Sequence, residues 1–221
     1  MATRTSPALR QLGAALRALL TLTIILGLAY PLVMTGIAQA AFPGNAGGSL
    51  VTRDGRTVGS DLIGQTFTRP VIADGQPQQD ADGNSVVEPD LAYFQSRPSA
   101  AGTGYDPTST SASNLGPENE ELIAAVKQRR AEAAELDGVA PGQVAPDALL
   151  ASGSGIDPHI SPAYAQQQTA RVARERGLTE AEVRNLVVEH TQGRVLGVLG
   201  EARVNVLRLN LALDELTGAA D

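Results

Sequence analysis

The sequence of 221 residues contains no cysteine and no tryptophan, and aromatic residues make up only 3% of it. The absence of cysteine excludes disulfide bonds and thiolate metal sites. The scarcity of aromatic residues argues against a surface that stacks on nucleic-acid bases. The net charge of −7 points the same way, because a nucleic-acid binder needs excess basic residues to neutralise phosphates. We therefore expect no nucleic-acid partner.

Lysine and histidine are also scarce, which limits the chemistry open to the chain. A phosphate-binding loop needs a lysine directly after its glycines, whereas the only lysine, Lys127, lies inside a predicted helix. The spacing of Asp157 and His159 would allow both to bind one metal ion, but His190 is the only other histidine. A structural turn, in which Asp157 and Ser161 bond to nearby backbone, is the favoured interpretation. We expect no bound metal and no catalytic residue.

Acidic residues are absent from the first part of the chain. Residues 1–53 carry four arginines and no acid, whereas residues 54–221 carry 13 basic and 24 acidic residues, a net charge of −11. The sequence therefore predicts a basic, apolar head followed by an acidic, soluble body.

The head contains a long apolar run. Residues 18–42 form 25 positions without a charged side chain, and about 20 residues of helix cross a bilayer. We assign residues 12–41 to a single transmembrane helix in the lipid bilayer, residues 1–11 to a cytoplasmic N-terminus and residues 42–221 to a soluble domain. Pro31 is expected to kink this helix or to mark its final third.

The orientation of this helix is predicted from its flanking charges. Arg4, Arg10 and Arg17 precede the apolar run, and positive residues favour the cytoplasmic side, so the soluble domain would be extracytoplasmic at the cell (inner) membrane. A cleaved signal peptide is the alternative, because Ala38 and Ala40 form an A-x-A motif. In that case the body would be an exported soluble binding domain, released after Ala40.

The body begins with a predicted β-hairpin and a polar segment. Residues 50–58 place apolar residues on both sides of an Asp54-Gly55 pair, a pattern typical of a hairpin turn. Residues 73–90 are polar, with two Asp-Gly pairs and two prolines, and we interpret them as a mobile surface loop.

The second half of the body is predicted to be mainly helical, with capping residues that define three helices. They are a helix from near Pro117 to Gly138, a helix capped by Ser161 that ends at Gly177, and a helix capped by Thr179 with Glu182. Leucines alternate at 207, 209, 211 and 213, which favours a final strand, although this segment could finish as a short helix. The order of elements predicts an α+β domain.

One pair of polar residues is a candidate nucleotide contact. Gln168 and Arg171 lie three positions apart on a predicted helix and share a face. A glutamine amide can both donate to and accept from an adenine edge, and arginine can bind a phosphate. The residues alone still favour a solvated helix face for this pair.

Six segments, together with the single N-terminal span, resemble in order and spacing the KdpC family, the C subunit of the Kdp potassium-transporting P-type ATPase. The segments are SDLIGQTF at 60–67, YFQSRPSA at 93–100, SNLGPENEEL, ASGSGIDPHISPAYA, RVARERGL and LGVLGEARVNVLRLNLALDEL. The family usually has an aromatic residue and a glycine where this chain has Gln95 and Ser96, and residues 73–90 resemble an insertion.

The resemblance implies a non-catalytic accessory subunit of an ATP-driven potassium uptake complex. Its implied partners are a channel-like, potassium-binding A subunit and an ATP-hydrolysing B subunit, whose assembly it stabilises. The family is also credited with acting as a catalytic chaperone that raises the ATP affinity of the pump subunit, and the implied ATP contacts are Gln168 and Arg171. Because the predicted topology places the body outside the cell, where ATP is scarce, we favour assembly and extracytoplasmic gating.

Overall fold

The computed structural model describes residues 6–73, 75–81 and 83–218. The chain divides into two compact units, Met1–Leu50 and Val51–Asp221.

The N-terminal unit is dominated by one long helix. It comprises α1 (Pro7–Ile24), a π-helical turn (Ile25–Ala29) and α2 (Tyr30–Ala41), and a short helix α3 (Pro43–Ala46) follows. Together Pro7–Ala41 form 35 residues that are long and apolar enough to cross a membrane, and none of their side chains is buried. This is the one candidate span in the described part of the chain, and a signal sequence would share these properties.

Pro31 does not end this helix. The preceding turn is π-helical, and the N–H of Tyr30 donates to the carbonyl of Ile25, five residues earlier. A wider turn of this kind absorbs a break in the helical ladder, which proline causes because it has no N–H. Of the arginines used to predict orientation, Arg4 lies outside the described residues, and the orientation stays a prediction.

The C-terminal unit begins with the expected hairpin. Strand β1 (Leu50–Arg53) pairs with β2 (Arg56–Ser60). Asp54 and Gly55 have φ angles of 50° and 77°, as a two-residue turn of type I′ requires. The hairpin prediction is therefore confirmed. It could be made from the sequence because the signal depends only on the two turn residues.

The polar segment at 73–90 contains more regular structure than the sequence predicts. It contributes to two short antiparallel strand pairs. Strand β3 (Thr68–Pro70) pairs with β6 (Val87–Pro89), and β4 (Ile72–Ala73) pairs with β5 (Gln76–Pro77). Cross-strand pairing thus gives β5 and β6 regular structure within a polar segment. The expected mobility stays a prediction, and Asp74 and Asp82 lie outside the described residues.

Three helices match the sequence predictions closely. They are α4 (Glu120–Asp137), α5 (Pro162–Arg176) and α6 (Glu180–Glu189), with single 3₁₀ turns at Pro141–Gln143 and Pro146–Ala148 between the first two. Helix α4 begins later than the predicted start near Pro117. Asn119 is its N-cap, since its side chain accepts from the N–H groups of Glu121 and Leu122 at 2.8 and 3.2 Å.

The predicted final strand is wrong for most of its length. Only Arg203–Asn205 form a strand (β9), which lies between β7 (His159–Ile160) and β8 (Thr191–Gln192) in an antiparallel sheet. Helix α7 then runs from Val206 to Thr217, and Asn205 caps it by accepting from the N–H of Arg208 at 3.1 Å. The cap and the inward-facing positions of a 3.6-residue period outweigh the alternation of leucines.

The core lies among α5, α6, α7 and the three-stranded sheet. Its fully buried members include Val172, Val183, Val187, Val204 and Leu209. Helices packed against a small antiparallel sheet make the domain α+β, as predicted from the order of elements.

Candidate functional site

Helix α5 positions both predicted site residues. Ser161 caps it by accepting from the N–H of Tyr164 at 3.0 Å, and Pro162 occupies the first turn. Gln168 and Arg171 point inward from the middle of this helix, and each is 0% exposed. The interpretation of a solvated helix face is therefore wrong for these two side chains.

Every nitrogen of the Arg171 guanidinium donates to an acceptor inside the domain. Its Nε donates to the Asp137 carboxylate at 2.9 Å, and one terminal nitrogen donates to the carbonyls of Leu91 and Tyr93 at 2.6 and 3.0 Å. The other terminal nitrogen donates to Gln168 Oε1 at 2.7 Å. A buried charge is tolerated only when it is paired and hydrogen-bonded in this way.

Gln168 binds the backbone of Gln95 in two directions. Its Oε1 accepts from the N–H of Gln95 at 2.6 Å, and its Nε2 donates to the Gln95 carbonyl at 3.1 Å. Asn210 on α7 makes the same pair of bonds with the neighbouring residue, Phe94, at 2.9 and 3.0 Å. Two amide side chains thus hold residues 94 and 95 as a sheet partner would, because residues 91–95 have no neighbouring strand to pair with.

Sequence reasoning missed two members of this network, Asp137 and Asn210. Asp137 is the last residue of α4 and its carboxylate is 1% exposed. An acid at a helix C-terminus is unfavourable in the field of the helix dipole, and this was the one local irregularity that set Asp137 apart. Gln167 donates to the second oxygen of Asp137 at 2.7 Å and accepts from the N–H of Ala145 at 2.7 Å.

The segment that Gln168 holds forms one wall of a cleft of about 710 Å³. Residues 95–98 lie on one side, and Arg129, Glu132 and Leu136 of α4 lie on the other. The cleft offers apolar contact together with charges of both signs. Because Gln168 bonds to the backbone of Gln95, which lines the cleft, a change in the position of Gln168 would also shift this wall.

The Asp157-His159 turn is built by local bonds. Asp157 accepts from the backbone N–H of His159 at 3.0 Å and from Arg97 at 3.2 Å. Burial raises the pKa of Asp157, but the His159 hydrogen bonds and the positive charge of Arg97 outweigh it and lower the pKa below its ordinary value. In the described part of the chain, no three His, Cys, Asp or Glu side chains group as metal ligands; the expectation of no bound metal stays a prediction.

Comparison with known proteins identifies one family over most of the chain. A family model described as "K+-transporting ATPase, c chain" matches residues 12–215. A KdpC subunit of a potassium-transporting ATPase from Kineococcus radiotolerans is 52% identical over 205 residues, which cover 93% of each chain. The corresponding subunit from Sorangium cellulosum is 52% identical over 209 residues (93% of this chain, 98% of the other), and that from Streptomyces coelicolor is 44% identical over 228 residues (98% and 97%).

These matches include both the candidate membrane-spanning helix and the C-terminal unit, and they define a subunit of a potassium-transporting P-type ATPase complex. Within that class, the chain belongs to the KdpC family.

Proposed function

We propose that the chain is a non-catalytic subunit that stabilises the assembly of a channel-like, potassium-binding A subunit with an ATP-hydrolysing B subunit. The observation that carries this proposal is the 35-residue apolar helix, none of whose side chains is buried. Such a surface requires lipid or another membrane helix as its neighbour. A helix in the membrane joined to a folded domain suits a subunit that holds others together.

The predicted topology supports a role outside the cell. Arg10 and Arg17 precede the uncharged run, which favours a cytoplasmic N-terminus and an extracytoplasmic domain. Residues 54–221 carry a net charge of −11, and this field raises the local concentration of cations in a salt-dependent manner. We place the domain near the potassium entrance as part of this proposal, because its field would favour the arrival of cations there.

A second candidate function is the catalytic-chaperone role, with ATP bound by Gln168 and Arg171. The two side chains already use their hydrogen-bonding groups within the domain, so ATP could reach them only if residues 91–95 moved away. We favour an indirect role, in which Gln168 and Arg171 set the position of the cleft wall at 95–98.

One experiment distinguishes direct ATP contact by Gln168 from its indirect role at the cleft wall. The tagged full-length chain is co-expressed with its partner subunits, and the complex is purified with Gln168→Ala or with the parent chain. Both roles predict a less stable chain in the absence of ATP, because Gln168 bonds to Gln95 and Arg171. Direct ATP contact predicts in addition a weaker apparent ATP affinity of the complex that Asn210→Ala, which removes the equivalent bonds to Phe94, does not produce. Unchanged ATP affinity would remove the nucleotide function.

Assembly itself is tested by deletion. Loss of the chain should abolish growth at low potassium and should prevent co-purification of the A and B subunits. Co-purification of A and B without the chain would contradict the proposal. The mass of the native protein tests the alternative, since a mature start at Ala41 would mean release after Ala40 rather than retention of the helix.

A further inference from the structure

The connection between β8 and β9 exposes four large apolar side chains, which we call the apolar tip: Val195, Leu196, Val198 and Leu199. Leu196 is 88% exposed and Val198 is 73% exposed. These exposures exceed those of the other large apolar side chains that the structure describes in the C-terminal unit, where Val188 reaches 64%. Clustered exposed apolar side chains at one place on a soluble domain mark an interaction site.

The apolar tip is held in a defined shape. The N–H of Val195 donates to the carbonyl of Leu199 at 2.9 Å, and the N–H of Leu199 donates back at 3.0 Å. Arg194 and Glu201 form an ion pair at 2.6 Å across its base. Leu196 has a φ of 53°, a conformation that costs free energy for a residue with a side chain. These bonds therefore hold the backbone in a conformation that exposes Leu196 to solvent.

A small pocket of about 280 Å³ is lined in part by residues 201–203, which follow the tip in sequence. Three carboxylates line it, and each already accepts from a donor of this chain: Asp147, Asp157 and Glu201. Arg203 also lines the pocket, and its guanidinium has no ion pair or hydrogen bond with any residue that the structure describes. The pocket thus contains one guanidinium that has no hydrogen-bond acceptor among the described residues, and it follows the apolar tip in sequence.

We propose that the apolar tip and Arg203 form the docking surface for another subunit of the potassium-transporting ATPase. The partner would supply an apolar hollow for Leu196 and Val198 and a carboxylate for Arg203, because a guanidinium pairs with a carboxylate through two parallel hydrogen bonds. This inference rests on the proposed assembly function and adds the surface through which the domain acts.

Charge argues for a protein partner over a lipid surface. Segments that bind membrane interfaces usually combine aromatic residues with several basic ones, whereas residues 193–202 contain no aromatic residue. Glu201, at the base of the tip, has a side chain that is 82% exposed. The acidic domain would also be repelled by anionic headgroups, whose attraction for basic segments is the usual source of binding.

The absence of cysteine permits a direct test. Leu196→Cys in the full-length chain is labelled with a maleimide in open membrane fragments, with and without co-expressed partner subunits. Docking predicts labelling about tenfold slower in the complex, corresponding to about 1.4 kcal/mol of protection. Val188→Cys on α6 is the matched control, because Val188 is an exposed valine outside the tip, and its labelling rate should not change.

Three outcomes would overturn the inference. Fast labelling of Leu196→Cys in both samples would mean that the tip stays in water, and slow labelling in both would mean that lipid covers it. Equal slowing at positions 196 and 188 would mean general shielding of the domain. Adding Arg203→Gln to Leu196→Cys should partly restore fast labelling in the complex, whereas adding Arg174→Gln should not.

The same samples distinguish this inference from the proposed function. If the partner subunits co-purify with the tagged chain while Leu196→Cys labels fast, assembly stands and the docking surface is wrong. If the partner subunits assemble equally well when the chain is deleted, the assembly function itself is wrong.

Discussion

Two arginines of the C-terminal unit have opposite environments. Arg171 is 0% exposed and donates to Asp137, to Gln168 and to two backbone carbonyls. Arg203 lines a surface pocket, and its guanidinium makes no hydrogen bond or ion pair with any residue that the structure describes, although its backbone is paired with Gln192 in the sheet. The difference indicates two roles. The Arg171 guanidinium uses all of its donors to hold the domain together, whereas the Arg203 guanidinium has donors left for a partner protein.

The largest expected effect follows from removal of the buried cation. Arg171→Met leaves the Asp137 carboxylate buried without its cation, and breaking such a pair costs about 3–5 kcal/mol of unfolding free energy. Urea unfolding of the full-length chain in detergent, followed by circular dichroism, measures this loss. Arg174→Met is the control, because the Arg174 side chain is 68% exposed. Equal stability of the two variants would contradict the architectural role.

A loss of similar size is expected from Gln168→Ala. The change leaves the N–H of Gln95 and one nitrogen of Arg171 without an acceptor, at a cost of about 1–3 kcal/mol for each buried unsatisfied group. Gln166→Ala on the same helix is the control, since Gln166 is only half-buried. If both variants have the same urea midpoint of unfolding as the parent chain, the bonds between Gln168 and the Gln95 backbone do not stabilise the domain.

Acid should weaken the region around the docking pocket. The pKa of Asp157 is lowered in the folded domain, so its bonds with His159 and Arg97 contribute stability that is present above the unfolded pKa of about 3.9. This contribution disappears as the pH falls through the folded pKa. The urea midpoint should therefore drop on acidification below about pH 4, and less in Asp157→Asn. An identical drop in both proteins would contradict this assignment.

The smallest stability effect is expected at Arg203. Arg203→Gln should change the unfolding free energy by no more than about 0.5 kcal/mol, because no bond within the described chain is lost. Its effect should appear only in the complex, as faster labelling of the apolar tip. A large loss of stability in the isolated chain would mean that Arg203 belongs to the architecture after all.

Sequence reasoning located the elements whose signals are local. The Asp54-Gly55 turn, the Ser161 cap of α5 and the Thr179–Glu182 capping box of α6 all lie where predicted. Each depends on bonds between residues no more than a few positions apart. The alternating leucines of α7 were misleading because their spacing suits either a strand or the buried face of a helix.

The candidate site was only half predictable. The sequence indicated that Gln168 and Arg171 share a helix face, but not that this face is turned inward. Their partners lie far away along the chain: Gln95 is 73 residues from Gln168, and Asp137 is 34 residues from Arg171. Neither spacing carries a periodic signal, so no local rule could pair them.

The sequence by itself determined the apolar helix, the helix caps and the acidic character of the domain, since these follow from local composition and short-range hydrogen bonds. Only the tertiary structure decided which polar side chains are used up inside the domain and which are left free. Burial and pairing depend on what segments distant in sequence bring opposite each residue. The fates of Arg171 and Arg203 therefore differ although both carry the same side chain.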